Sequence, residues 1–193
     1  SQWDTSSVTS LYETFDLAES FNSNISQWDT SNVTTLQGTF RSVTSFNSDI
    51  AQWDTSSVTT LRYTFRSATS FNSDISQWDT SSVTEMGSIF ERATSFNSDI
   101  SQWDTSSVTS LNRVFYFATS FNSDISQWNV TRVVDMYQVF TNVQALDMCN
   151  RKSIYDGWIT QNTLISQSYY SWGSFSAFRD VCGVCGGNNS TCT

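Results

Sequence analysis

The stretch SFNSDISQWDTSSVT fills residues 70–84 and returns unchanged at residues 95–109, 25 residues later. The first 146 residues repeat this unit at the same interval, without insertion or deletion. An unbroken period of this length predicts units that stack on one another in one pose. Two aromatic columns mark the repeat, Trp3, Trp28, Trp53, Trp78, Trp103 and Trp128, and Phe15, Phe40, Phe65, Phe90, Phe115 and Phe140.

A single unit is too small to fold by itself. Its large apolar side chains give on the order of 10–15 kcal/mol when buried. Ordering its backbone costs roughly 1–2 kcal/mol for each residue, which exceeds that gain. Stacking buries both faces of a unit and shifts this balance. We therefore expect the Trp and Phe columns to form a core ladder that is shielded from water.

Within the unit, residues 8–18 carry the pattern of a helix. Val8, Leu11, Phe15 and Ala18 lie at the spacing of one helical face, which predicts about three turns. The serines at positions 6–7 would cap the first turn. The segment 82–85, Ser-Val-Thr-Glu, has the form of a capping box.

The remainder of the unit predicts a short strand and a side-chain ladder. Residues 21–28 suit a strand that is interrupted by a turn, because the step from Ile25 to Trp28 breaks simple alternation. Positions 12, 13, 16 and 17 of the unit vary from copy to copy, so we place them in solvent. An internal ladder of amides bonded to neighbouring backbone groups is predicted for Asn22, Asn47, Asn72, Asn97 and Asn122.

The amino-acid sequence of the unit resembles that of a known repeat family. Residues 103–111, Trp-Asp-Thr-Ser-Ser-Val-Thr-Ser-Leu, and residues 118–128, Ala-Thr-Ser-Phe-Asn-Ser-Asp-Ile-Ser-Gln-Trp, resemble the BspA-type leucine-rich-repeat surface proteins of bacteria and protists. For residues 1–146 the resemblance implies an α/β solenoid with one helix and one short strand in each 25-residue coil. It also implies a right-handed curve with the strands on the concave side, a cell-surface location and an adhesive or structural role. It transfers no catalytic residue.

Two further segments follow where the period ends. Residues 147–179 are rich in aromatic side chains and are the expected C-terminal cap of the stack. Residues 180–193 form a cysteine-rich tail that resembles the Cys-Gly-Val-Cys-Gly-Gly modules of secreted algal and protist proteins. Disulfides are favoured over a zinc site because the chain has no His, and their three pairings stay open. The cysteines are Cys149, Cys182, Cys185 and Cys192.

Glycosylation sequons, like the cysteine-rich tail, favour a secreted protein. Asn-x-Ser/Thr sequons occur at Asn24, Asn32, Asn129, Asn188 and Asn189. With the cysteines they favour a secreted glycoprotein that works outside the cell or on its surface. No stretch approaches the roughly 20 apolar residues of a membrane helix.

Charge excludes one class of partner. The net charge is −9 and the isoelectric point is about 4.2, so the chain repels phosphate backbones and nucleic acid is a poor ligand. The cations of the repeats stand singly in the sequence and are expected to form no patch. They include Arg41, Arg62, Arg66, Arg92 and Arg113.

Two aspartate columns are the candidates for metal chemistry. Like charges about 5 Å apart repel, so either a cation such as Ca²⁺ or hydrogen bonds from turn amides must offset the repulsion. Hydrogen bonds are favoured for Asp4, Asp29, Asp54, Asp79 and Asp104. A Ca²⁺ site stays a candidate for Asp49, Asp74, Asp99 and Asp124. No other cofactor is expected.

The sequence gives little support to the hypothesis of an enzyme. Without His, a Ser or Cys nucleophile lacks its usual base, and no pair of carboxylates in the repeats stands out from the others. We expect an extracellular structural or adhesive scaffold that contacts proteins or glycans, or assembles with itself into a filament or coat. The alternative is a dedicated module that binds a glycan or Ca²⁺ on the concave face.

Overall fold

The computed structural model of the protein describes residues 3–163. Within them, successive 25-residue units lie side by side and run in the same direction. A single parallel bridge joins each unit to the next at position 10, and the bridges follow one line through Ser10, Thr35, Thr60, Glu85, Ser110 and Asp135. The constant step of 25 residues in the sequence is therefore also the step between neighbouring units in space.

The helix predicted for each unit is not formed, and this prediction is wrong. In unit three the amide of Tyr63 donates to the carbonyl of Gly87 in the next unit, at 3.1 Å. The amide of Thr64 donates to Leu61, only three residues back, at 3.2 Å. Tyr63 also has a positive φ of 62°, which no right-handed helix contains. Residues 8–18 and their equivalents are a series of tight turns.

The stack itself explains why turns replace the helix. Every second amide of this segment finds a carbonyl in the neighbouring unit, so it has no need of a partner four residues back. The serine expected as a helix cap has a different role as well. Ser81 donates its backbone N–H and its hydroxyl to Oδ1 of Asp79, at 3.0 and 2.6 Å. In the predicted capping box, Glu85 instead accepts a hydrogen bond from Thr109.

The strand predicted for residues 21–28 is also absent, since the described residues contain isolated bridges and no extended strand. The turn predicted inside it is confirmed, because the amide of Trp28 donates to Ile25 at 3.1 Å. Short turns between fixed apolar positions thus account for most of each unit.

The chain beyond the repeats contributes one helix, α1 (Met148–Ile159). Asp147 caps it by accepting the amide of Asn150 at 2.9 Å. The helix buries Ile154 and Trp158 against the last unit. It lies within the segment predicted as a cap, whose residues 164–179 fall outside the described part. No helix among residues 3–163 is long and apolar enough to cross a membrane.

Candidate functional site

The tryptophan column is buried along most of the stack. From Trp53 to Trp128 each ring is between 1 and 4% exposed, and neighbouring rings are nearly parallel with centroids 6.3–6.5 Å apart. Each indole N–H donates to the carbonyl of the isoleucine 28 residues earlier, as Trp78 does to Ile50 at 3.1 Å. Packing and hydrogen bonding therefore occupy these rings, and they offer no open face to a sugar.

The phenylalanine column lies beside it. Phe40, Phe65, Phe90 and Phe115 are fully buried, whereas Phe15 is partly exposed and Phe140 is 7% exposed. Their ring centroids are 5.6–5.8 Å apart from unit to unit. Both columns belong to one continuous buried core that also includes aliphatic side chains of each unit.

The first unit leaves this interior open. Trp3 is 67% exposed, and with Phe15, Phe21 and Trp28 it lines a pocket of about 500 Å³. At the other end the column gains a member that the repeat does not predict. Trp158 of α1 stacks on Trp128 with centroids 6.2 Å apart, and its N–H donates to the carbonyl of Ile125 at 3.0 Å, in the same manner as the other tryptophans bond to isoleucines.

The asparagine column forms the predicted ladder of hydrogen bonds. Oδ1 of Asn47 accepts the amide of Asn72 at 2.8 Å, and Asn72 accepts that of Asn97 at 2.7 Å. The ladder is not internal, however, because these residues lie at the surface. Serine hydroxyls beside it reinforce the stack, as Ser73 does by donating to the carbonyl of Ser48 at 3.0 Å.

The aspartate column at position 4 is held by serine. The hydroxyl and then the backbone N–H of Ser81 lower the pKa of Asp79 below its usual value. Ser56 and Ser106 act in the same way on Asp54 and Asp104. Asp29 feels the charges of its neighbours, which raise its pKa, but its hydrogen bonds to serine outweigh them. These are the hydrogen bonds that the sequence favours for this column.

The candidate Ca²⁺ column also bonds to backbone amides. Oδ1 of Asp49, Asp74, Asp99 and Asp124 accepts the amide two residues later, at 2.9 Å in each case. Asp99 and Asp124 border a shallow groove of about 390 Å³. Among residues 3–163 no three acidic, His or Cys side chains come together as a metal site would require.

The arginines of units three to five do form a patch, contrary to the expectation from sequence. Stacking places positions 12–17 of neighbouring units side by side, and these positions contain Arg62, Arg66, Arg92 and Arg113. We call this set, together with Tyr63 and Tyr116, the Arg–Tyr strip. Aligning the units on their tryptophans would have revealed it, since the 25-residue offset brings Arg92 of unit four to Tyr116 of unit five.

Tyrosine rings organise the guanidinium groups of the strip. Arg62 and Arg66 lie over the ring of Tyr63, at 4.7 and 5.6 Å from its centroid. Arg92 and Arg113 lie over Tyr116, at 5.9 and 5.4 Å. Contacts between a guanidinium group and an aromatic ring contribute about 0.5–1 kcal/mol each at exposed sites. Two tyrosine-centred clusters therefore occur two units apart, one built within unit three and the other from units four and five.

Carboxylates near the strip have partners of their own. Glu91 is buried, although its position was expected in solvent; it pairs with Arg66 at 3.1 Å and lies 4.0 Å from Nε of Arg92. Ser88, at another variable position, is buried as well. Glu85 and Asp135 flank the strip and accept hydrogen bonds from Thr109 and Asn112. Positions 12–17 of these three units therefore contain four arginines and a single carboxylate.

The first two units differ at the same positions. There Arg41 is neutralised by an ion pair with Asp16 and lies 3.2 Å from Glu13. This pairing raises the pKa of Arg41 above its usual value, the bond to Asp16 being the main cause. The cationic patch is therefore confined to units three to five.

The modification candidates lie on the surface where the structure describes them. Asn24, Asn32 and Asn129 are exposed, and the side-chain amide of Asn32 donates to Ser6 at 2.9 Å. Cys149 is exposed in the first turn of α1. The other candidates, Asn188, Asn189, Cys182, Cys185 and Cys192, lie outside the described residues.

These features define a class, a repeat protein with a fixed interior and an outer face that changes from copy to copy. The profile of a family described as "Mycoplasma protein of unknown function, DUF285" matches residues 1–80 and 36–158. The chain therefore belongs to that family. No curated protein and no solved structure matches it.

Proposed function

We propose that the protein is an extracellular scaffold, a stiff solenoid that presents its outer face to other proteins or glycans on a cell surface, coat or filament. One observation carries the proposal. Positions 12, 13, 16 and 17 exchange Arg, Tyr, Gly and Glu between units, while the Trp, Phe and Asn columns stay the same. Such a division suits a scaffold with replaceable contacts.

The structure changes how the solenoid is built in this proposal. The resemblance to BspA-type proteins implies a helix in each coil, whereas here turns and single bridges connect the units. Burial of the aromatic columns and the hydrogen bonds between units both support a stiff stack. The proposed location rests on the sequons and on the cysteine tail, with disulfides in an oxidising compartment.

A labelling experiment tests location and role together. Intact cells that express the full gene would be treated with a biotin reagent that cannot cross membranes, and adhesion would be compared in cells with and without the gene. The proposal predicts a biotinylated chain and an adhesion defect that the wild-type gene restores. A chain that is labelled only after lysis would contradict it.

The rival function is a dedicated module that binds a glycan or Ca²⁺ and, like the scaffold, catalyses no reaction. It has one specific observation in its favour, the groove beside Asp99 and Asp124. A calcium titration followed by calorimetry discriminates the two. Saturable binding at a fixed stoichiometry, abolished by Asp99→Asn with Asp124→Asn, would favour the module over the scaffold.

A further inference from the structure

The Arg–Tyr strip concentrates positive charge on a chain whose net charge is −9. Both aspartate columns lie on other parts of the unit and are exposed. A polyanion is therefore repelled by most of the repeat surface and attracted at one place. Focused charge of this kind steers an oppositely charged ligand to its site.

The strip is ordered before any ligand arrives. Tyr63 accepts a hydrogen bond from Arg62 at 2.8 Å in addition to the ring contacts, and Arg113 donates to Gln138 at 3.0 Å. Side chains held in this way lose less conformational freedom on binding. Arginine is also the cation best suited to the paired oxygens of carboxylate and sulfate groups.

The layout of the strip favours a linear ligand. Its arginines come from three consecutive units, and neighbouring units in a parallel ladder lie about 4.8 Å apart. The two tyrosine-centred clusters are therefore separated by about 10 Å along the stack. An isolated ion pair at the surface contributes only about 0–1 kcal/mol, so a ligand must meet several guanidinium groups at once.

We infer that the Arg–Tyr strip binds a linear acidic polysaccharide, whose carboxylate or sulfate groups pair with Arg62, Arg92 and Arg113. The polymer lies along the stack and contacts both tyrosine-centred clusters. This inference rests on the proposed scaffold function and names the partner of its outer face. Tyr63 and Tyr116 position the arginines, since guanidinium groups already cover their rings.

Binding of defined polymers tests the inference. The full chain would be titrated with polygalacturonate, with dextran sulfate and with neutral dextran of equal length, at 50 to 200 mM salt. We expect binding of at least one acidic polymer that weakens as salt rises, and no binding of neutral dextran. The carboxylated and sulfated polymers show which anionic group the strip prefers.

Two double variants with the same change of charge separate the strip from general attraction. Arg62→Gln with Arg113→Gln removes one cation from each cluster and leaves the pair of Arg66 with buried Glu91 intact. Arg132→Gln with Lys152→Gln removes two exposed cations elsewhere. We expect about tenfold weaker binding for the first variant and under twofold for the second, with both thermal midpoints near that of wild type.

Several outcomes would overturn the inference. They are equal losses in the two variants, no binding of either acidic polymer, tighter binding of polyglutamate than of the polysaccharides, and a strip variant that alters only self-association in sedimentation. Surface labelling of cells does not depend on any ligand. A chain that is found on the surface but binds no polyanion therefore contradicts this inference and leaves the scaffold proposal intact.

Discussion

At the scale of single residues, each tryptophan of the column joins two units at once. Its ring fills the space between neighbouring rings, and its N–H satisfies the buried carbonyl of the isoleucine 28 residues earlier, as Trp103 does with Ile75. The contribution of a given tryptophan consequently depends on having a unit on both sides. Trp103 has two such neighbours, whereas Trp3 is largely exposed.

Removal of these two rings should have very different effects. Trp103→Ala leaves a cavity and an unsatisfied carbonyl, so we expect a loss of about 3–5 kcal/mol in the free energy of unfolding. Trp3→Ala should change it by no more than about 0.5 kcal/mol. Urea denaturation followed by circular dichroism measures both. Similar losses in the two variants would show that the column is not the core.

The aspartates at position 4 make stability depend on pH. Their folded-state pKa lies below the unfolded value of about 3.9, so the stabilisation is present above that value and is lost as the pH falls through the folded-state pKa. Asparagine accepts the same turn bonds without a charge, as Asn129 does with Thr131. We therefore expect a variant with asparagine at positions 54, 79 and 104 to lose less of its thermal midpoint between pH 5 and pH 2. An unchanged pH profile would contradict this account.

The sequence predicts the role of a residue when its hydrogen-bond partners lie in the same unit. Asp79 and Ser81 are two residues apart, so their turn could be inferred from the chain alone. The contacts of Arg62 with Tyr63 and of Arg113 with Tyr116 also lie within one unit, but that of Arg92 with Tyr116 joins two units and depends on the stacking offset. Burial of Glu91 was missed for the same reason, since its partner Arg66 is in the preceding unit.

At the scale of elements, the helix predicted for residues 8–18 shows that hydrophobic spacing alone does not determine the secondary structure. The equivalent residues of unit three, Val58, Leu61, Phe65 and Ala68, are all buried at that spacing, but a series of tight turns produces the same inward set. What decides between them is the neighbouring unit, which offers a carbonyl to every second amide. No window of a single unit contains that information.

The C-terminal helix makes a prediction that opposes ordinary helix propensity. An alanine in place of glycine inside a helix usually stabilises it by about 1 kcal/mol. At Gly157 the added methyl group would overlap the carbonyl oxygen of Ser126 and lie 3.1 Å from its carbonyl carbon. We expect Gly157→Ala to lower the free energy of unfolding by about 1–3 kcal/mol, as measured by urea denaturation.

Gly87→Ala is the matched control for that variant. Its added methyl group would meet no atom closer than 3.7 Å, which is ordinary van der Waals contact. Its stability should stay within about 0.5 kcal/mol of wild type. If Gly157→Ala were as stable as this control, α1 would not pack on unit six as described.

At the scale of the whole molecule, the stack requires a constant number of residues in each unit. Deletion of residues 51–75 removes one complete unit and keeps every column aligned. Deletion of residues 51–74 shifts all later residues by one position relative to the earlier units. A slip of this kind moves apolar side chains out of the core.

We expect the 25-residue deletion to unfold cooperatively with a lower midpoint, and the 24-residue deletion to give no cooperative transition. Thermal unfolding followed by circular dichroism checks both. Equal cooperativity in the two would show that register is not what holds the units together. The period is also the part of the fold that sequence predicts best, because its columns are visible without any knowledge of the turns.

Distances between spin labels test the stacked arrangement most directly. One label, introduced as an unnatural amino acid, would replace Ser10, and a second would replace Glu85, Ser110 or Asp135, which lie on the same line of bridges. Electron spin resonance should give distances of about 14, 19 and 24 Å, rising by about 4.8 Å for each added unit. A step near 10 Å, which is the spacing of packed helices, or no regular step at all, would contradict the account.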